Sequence, residues 1–182
     1  MRLSPAECRE RLAAARHVVL ATAGADGTPH VVPMTFAVLP PHGPAGAGHA
    51  AIVSVVDHKP KSTTALRRLR TIAQNPHVAV LADRYDDDWS RLWWVRADGV
   101  ARVVAAPSPG ADLHGDDDGG WSVAVAALTE RYPQYARHRP DGPMIRIEVE
   151  RWSGWAWGEG PLPGRETGDE PDQGPGWGDD PT

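Results

Sequence analysis

Two lysines stand two residues apart in the stretch Asp57-His58-Lys59-Pro60-Lys61-Ser62-Thr63, where an apolar run ends and a helical pattern begins. In extended backbone, residues i and i+2 project to the same side, so Lys59 and Lys61 present paired ammonium groups. Beside them lie the free N–H groups and the positive dipole end of the following helix. That combination suits an anion, and a phosphate in particular. Ser62 and Thr63 add hydroxyl donors and either can cap the helix, while Arg67 can reach back toward the same point. The plainer reading, two solvated lysines that happen to precede a helix, uses the same residues.

Tryptophan is the second signal. The chain has eight Trp against one Phe. Trp89, Trp93 and Trp94 cluster in one stretch, and Trp152, Trp155 and Trp157 in another. Flat indoles suit core packing, a subunit contact or a flat ring system. Trp89 and Trp157 are the two kept as ring neighbours. The eight histidines are scattered without a ligand spacing, so no metal site is expected. The runs Asp86–Asp88 and Asp116–Asp118 lack the alternation and terminal Glu of a calcium loop. Gly158-Glu159-Gly160 lies outside any strand-to-helix unit and is no dinucleotide fingerprint. No Ser-His-Asp or Cys-His arrangement is legible.

The elements that must position these groups follow from pattern. Ser4-Pro5-Ala6-Glu7 has an N-cap serine, a proline at the first helical position and a capping-box glutamate, so a helix runs to about Ala14. Residues 17–23 and 28–38 are β-rich runs around Gly24-Ala25-Asp26-Gly27 and read as a hairpin. Pro29 and Pro33 push the second strand to an edge or a bulge. A third strand spans 50–57, after a Gly/Pro loop at 39–49. From Thr64 the period turns helical: Ala65, Leu66, Leu69, Ile72 and Ala73 share a face while Arg67, Arg68 and Arg70 face away, and Asn75-Pro76 ends the helix. Residues 78–82 form a fourth strand. A long strand from Leu92 to Val104, bent at Gly99, is the fifth. Residues 121–132 form a helix, and Met144–Glu150 alternates as a sixth strand. Strands in short antiparallel connections, with two or three helices inserted, favour an antiparallel barrel over a doubly wound parallel sheet.

Composition sets the bounds. The chain has 182 residues, 41% hydrophobic, with a net charge of −5 and a pI of about 5.9. This fits one domain and lacks the basic excess of a nucleic-acid binder. Cys8 is the only cysteine, so an internal disulfide and a Cys-based zinc site are both ruled out. Residues 1–15 are too charged for a signal peptide, and no apolar run approaches the roughly 20 residues of a membrane span. The expected location is the cytoplasm. Residues 159–182 are rich in Pro, Gly and acid, with Trp177 as the one large apolar group, and are expected to be disordered.

Taken in order, the hairpin Ala21 to Pro33, the strand ending in Asp57-His58-Lys59-Pro60-Lys61-Ser62, and Leu66 to Val78 resemble the pyridoxamine-5′-phosphate-oxidase-like split β-barrels. The stretch Asp86-Asp87-Asp88-Trp89-Ser90-Arg91-Leu92-Trp93-Trp94-Val95-Arg96-Ala97-Asp98-Gly99 resembles an actinobacterial subgroup of F420-dependent enzymes. The likeness covers residues 3–158, and the split-barrel domain is set at 1–158. It implies a six-stranded antiparallel flavin-binding split barrel and a homodimer with two cofactor sites at the interface. It also implies phosphate anchoring by Lys59 and Lys61 with Ser62 nearby. The ring would lie along the second and third strands near Pro33, Met34, Val53 and Ser54, approached by Trp89 or Trp157 of the partner. The resemblance favours coenzyme F420, with FMN as the alternative. The implied activity is hydride transfer to an unidentified small organic substrate, with no protein nucleophile and no catalytic residue assigned. The rivals are an FMN-dependent oxidase or reductase and a non-catalytic carrier. A haem-handling barrel finds no suitably placed histidine.

Overall fold

The computed structural model describes residues 1–41, 49–56, 66–108 and 120–158. Its elements run α1 (Pro5–Ala14), β1 (Val18–Ala23), β2 (Pro29–Met34), β3 (Ala37–Leu39), β4 (Ala51–Val55), α2 (Arg67–Gln74), β5 (His77–Arg84), β6 (Trp93–Val104), α3 (Trp121–Arg131), α4 (Pro133–Arg137) and β7 (Met144–Ala156). A 3₁₀ turn, Trp89–Arg91, precedes β6.

All seven strands belong to one sheet, in the order β2-β1-β5-β6-β7-β4-β3. Every pairing is antiparallel. The two outermost strands, β2 and β3, are consecutive in the chain, with only Thr35 and Phe36 between them. Cα atoms three residues apart can be separated by at most roughly 11 Å. The sheet must therefore curl until its edges nearly meet, which makes a barrel split along one seam. The sequence predicted six strands. The seventh arises because the run 28–38 breaks at Thr35-Phe36, one part staying on β1 and the other crossing to β4.

The break is held from a distance. The Phe36 N–H donates to the Tyr132 hydroxyl at 3.1 Å, and the Thr35 and Tyr135 hydroxyls are 3.0 Å apart. Phe36 itself is fully buried. Prolines 29 and 33 sit on β2, an edge strand, as expected.

Alternation along the strands sorts two cores. Leu20, Met34, Phe36, Ile52, Val80, Val95, Ala97, Ile145, Ile147 and Val149 fill the barrel, joined by Cys8 and Leu12 of α1 and Ile72 of α2. Ala51, Val53 and Val55 face outward and are covered by Trp121, Ala124, Val125 and Leu128 of α3 and by Tyr135 of α4. The α3 residues recur at i, i+3, i+4 and i+7, one helical stripe. The short helix α4 was not predicted, and the sixth predicted strand, Met144–Glu150, runs on to Ala156 as β7.

Local signals hold where the chemistry is local. Ser4 Oγ accepts from the Glu7 N–H at 3.3 Å, and Glu7 Oε2 accepts from the Ser4 N–H at 2.7 Å. That capping box contributes about 1 kcal/mol. The bend at Gly99 is a register shift between Asp98 and Gly99. A Cβ there would overlap the Glu148 carbonyl oxygen, so only glycine allows β6 and β7 to approach this closely. Among the described residues, no helix is long and apolar enough to cross a membrane.

Candidate functional site

Lys59, Lys61 and Ser62 lie outside the described residues, as does the expected disorder of 159–182. The flanks of the basic turn are described. β4 ends in the fully buried run Ala51–Val55, and the Val56 N–H donates to the Pro143 carbonyl at 3.0 Å. The helix beyond starts later than predicted. Its N-cap is Leu66, which supplies no side-chain hydrogen bond; Ser62 and Thr63, the expected caps, lie outside the described residues. No acid occupies its first turn. The positive end of α2 is thus uncompensated by the helix itself.

Cationic and ionisable groups gather at that end, with Arg67 and Arg68 acting on His30. Arg67 and Arg70 are exposed and Arg68 is half-buried. The buried positions of α2 are Thr71 and Ile72, whereas Ala73 is exposed, a shift from the predicted face. Thr71 tolerates burial because its hydroxyl donates to the Arg67 carbonyl at 2.8 Å. His30 on β2 faces the same corner. Burial, and then the charges of Arg67 and Arg68, hold its imidazole below the usual histidine range. Its Nδ1 is buried with no hydrogen-bond partner among the described residues. A ring nitrogen and two guanidinium groups, at a helix start that no described side chain caps, form a corner that fits an anionic group. The sequence hid His30 because nothing local marks it. Only the pairing of His30 with Thr22 and the arrival of α2 over that end of β1 give it these neighbours.

Pro33, Met34, Val53 and Ser54 converge on the seam. Met34 is three residues before Ala37, whose ladder partner is Val53. Their side chains diverge, however. Met34 points into the barrel, Val53 packs beneath α3, Ser54 is buried at 5% exposure and Pro33 is exposed on the outer face. The tryptophans lie at the opposite side of the sheet. Trp89 is 60% exposed, and its ring meets Trp157 edge-on at 6.2 Å. Trp157 in turn meets Trp155 edge-on at 6.0 Å. Within one chain, the seam group and the tryptophan group are not brought together.

Pro33 does share a cross-strand row with the tryptophan side. The register runs Pro33, Val19, Leu81, Arg96, Ser153 across β2, β1, β5, β6 and β7, and the next outward row is Val31, Ala21, Ala79, Asp98, Arg151. The first three strands of each row are apolar, with Val31 59% and Leu81 36% exposed. A shallow concavity of about 500 Å³ opens at one margin, between Val19, Leu81, Trp93, Arg16 and Arg84.

Solved structures share this fold. Conserved hypothetical protein Rv2991 of Mycobacterium tuberculosis superposes with a TM-score of 0.61 at 22% identity, over 92% of this chain and 93% of that one. A FAD-binding protein of Mesorhizobium loti gives a TM-score of 0.55 at 24% identity, over 85% and 95%. HutZ, a heme storage protein of Vibrio cholerae, gives 0.54 at 20% identity, over 86% and 95%. No curated protein matches. The sequence model of the family described as pyridoxamine 5′-phosphate oxidase matches residues 4–156. With an antiparallel barrel split at one seam and a family model spanning nearly all of that barrel, the chain belongs to the pyridoxamine 5′-phosphate oxidase family.

Proposed function

We propose that this chain is an oxidoreductase that binds coenzyme F420 across a homodimer and passes a hydride between it and a small organic substrate. The observation that carries the reading is the positive corner at the start of α2. There the charges of Arg67 and Arg68 act on His30, whose Nδ1 has no hydrogen-bond partner among the described residues, beside a helix start whose N-cap Leu66 supplies no side-chain hydrogen bond and which follows the Lys59/Lys61 segment in sequence. These groups bind and orient an anionic arm. When bound, the cofactor supplies the hydride chemistry itself. The chain's part is to hold the ring, align the substrate and exclude water. Pro33, exposed at the end of β2, is the residue of its group able to touch a planar ring laid on the outer face. Trp89 and Trp157 would contribute from the partner.

Dimerisation is supported by the two apolar rows on β2, β1 and β5. Small and branched side chains line that face, with Val31 and Leu81 exposed on it. A second copy covering this face would bring its own tryptophans toward the first chain's seam.

F420 is preferred to FMN on the resemblance of Asp86–Gly99. A flavin is the second reading, favoured by the FAD-binding protein of Mesorhizobium loti among the structural neighbours. Titration of the purified chain with F420, FMN, FAD and haem, followed by visible absorption, separates the readings. The expected result is micromolar or tighter F420 binding, weakened at least ten-fold by Lys59→Ala/Lys61→Ala, about 1.4 kcal/mol or more. Tighter binding of FMN or FAD would replace the cofactor assignment, and unchanged affinity in the double variant would remove the lysines from the site.

A further inference from the structure

Beyond the cofactor corner, the outer face of β6 and β7 carries a second concavity. It measures about 470 Å³ and is walled by Trp94, Trp152 and Trp155 with Arg2 and Arg96. Among the described residues, no carboxylate lines it. Asp98 lies beside it but is already shared. Arg96 Nη2 donates to Asp98 Oδ2 at 3.1 Å, and Arg151 Nη2 donates to the same oxygen at 2.8 Å. Two guanidinium groups on one carboxylate leave an unneutralised positive charge at the groove, and Arg2 adds a second. Three indoles and surplus guanidinium charge suit an acidic ligand that carries an aromatic group.

The chain contains such a ligand. Residues 159–182 hold seven carboxylates (Glu159, Glu166, Asp169, Glu170, Asp172, Asp179, Asp180), one arginine and Trp177. That segment therefore carries −6 of a total of −5, and residues 1–158 are left at +1. All the net negative charge of the protein resides there. The segment also departs from the groove's rim. The Trp157 N–H is held by the Leu92 carbonyl at 2.9 Å. A Cβ on Gly158 would stand 3.5 Å from the Met1 Cβ, next to Arg2 in the chain. Trp155 is three residues before Gly158, within roughly 11 Å, while Trp177 is 19 residues beyond it and can reach up to roughly 65 Å.

We propose that the acidic segment 159–182 docks in the groove between Trp94, Trp155, Arg2 and Arg96, with its carboxylates on the arginines and Trp177 among the indoles. Tethering at the rim gives an effective concentration in the millimolar range. An intrinsic dissociation constant of about 0.1 mM then keeps the groove occupied about ten to one. The docking needs no cofactor and stands apart from the choice between F420 and flavin.

The test uses the full-length chain with its tail neutralised by Glu166→Gln, Asp169→Asn, Glu170→Gln, Asp172→Asn, Asp179→Asn, Asp180→Asn and Trp177→Ala, which leaves Glu159 and Arg165 to cancel. The probe is a dye-labelled synthetic peptide of residues 159–182, followed by anisotropy at low salt. The neutralised chain, with its groove vacated, is expected to bind the peptide about ten-fold more tightly than the wild-type chain. Arg2→Gln/Arg96→Gln in the same background, or 0.5 M salt, should abolish that gain. Equal affinity for the wild-type and neutralised chains would overturn the proposal. A second measurement reads the groove directly through ¹⁹F spectra of 5-fluorotryptophan protein, with Trp94 and Trp155 assigned by Phe replacement. Their resonances should move when the tail is neutralised and hold on dilution. Movement on dilution with no response to the tail would mean that a second copy fills the groove, and the proposal fails.

Discussion

Replacing Arg131 by Met removes a guanidinium group that ties three parts of the barrel together while keeping most of the side chain's apolar volume. Arg131 Nη1 donates to the Ala13 carbonyl at 2.6 Å, and Nη2 donates to the Ala15 carbonyl. Nε donates to the Tyr132 hydroxyl at 3.2 Å. The guanidinium carbon stands 4.6 Å from the centre of the buried Phe36 ring. Each charge-assisted bond contributes about 1.5–3 kcal/mol, and a partly desolvated cation–π contact about 1–2 kcal/mol. Half-burial and solvation of the freed carbonyls reduce the sum, so the expected loss is about 3 kcal/mol. For a domain of this size that lowers Tm by roughly 6–12 °C. Arg137→Met, on the exposed side of α4, is the control and should cost no more than about 0.5 kcal/mol. Tyr132→Phe removes the acceptor for the Phe36 N–H and the donor to the Arg16 carbonyl. Because the two residues share partners, a double-mutant cycle should give a coupling of at least about 0.5 kcal/mol. Amide exchange at Phe36 should quicken in either variant, since this N–H reports on the seam. A loss under 1 kcal/mol in urea unfolding, together with additive single variants, would refute the view that the α3–α4 turn locks the seam.

Gly99→Ala should destabilise by about 3 kcal/mol, because the added carbon meets the backbone of Glu148 and Val149, which cannot rotate away; a Tm within 2 °C of wild type would show that the bulge relaxes. His30 gives a pH signature. Its folded pKa is lowered by burial and then by Arg67 and Arg68, so the unfolded chain binds the extra proton first. Its share of stability is complete above the ordinary value of about 6.5 and is lost as pH falls through that value toward the lowered one. The fall in unfolding free energy between pH 7.5 and 5.5 should shrink in His30→Gln and also in Arg67→Gln, and identical slopes would discount the corner's electrostatics. The Cys8 thiol, fully buried with its pKa raised first by burial and then by Glu7, should resist iodoacetamide in the native state and react on unfolding. Rapid native alkylation would mean that α1 leaves the barrel mouth.

Features set by neighbouring residues were legible in the sequence. The capping box at Ser4, the hairpin at Gly24–Gly27, the stop at Asn75-Pro76 and the bend at Gly99 each depend on backbone preferences within a few positions. The split of residues 28–38 into β2 and β3 was not. The apolar pattern runs on through Phe36, and the groups that hold the break, Tyr132 and Tyr135, come from about a hundred residues away. The start of α2 was misplaced for a related reason. The pattern turns helical at Thr64, whereas the described helix begins at Arg67 behind Leu66, a residue whose side chain cannot cap. Of the candidate site, the basic turn was visible as a motif. His30 was not, because its environment is assembled by β1 and α2 and leaves no mark on the residues beside it.

The last of the described strands supports most of what precedes it. β7 pairs along its length with β6, receives β4 across more than ninety residues of chain, and bonds to the backbone of Met1 and Leu3. Contacts this distant in sequence form slowly. Until residues 144–156 are in place, β4 has only the three-residue β3 beside it and α1 lacks the surface it plugs. Productive folding therefore waits for β7, and Trp93 and Trp94 lack their cross-strand partners Ala156 and Trp155 until it arrives, which leaves their indoles open to aggregation in the interval.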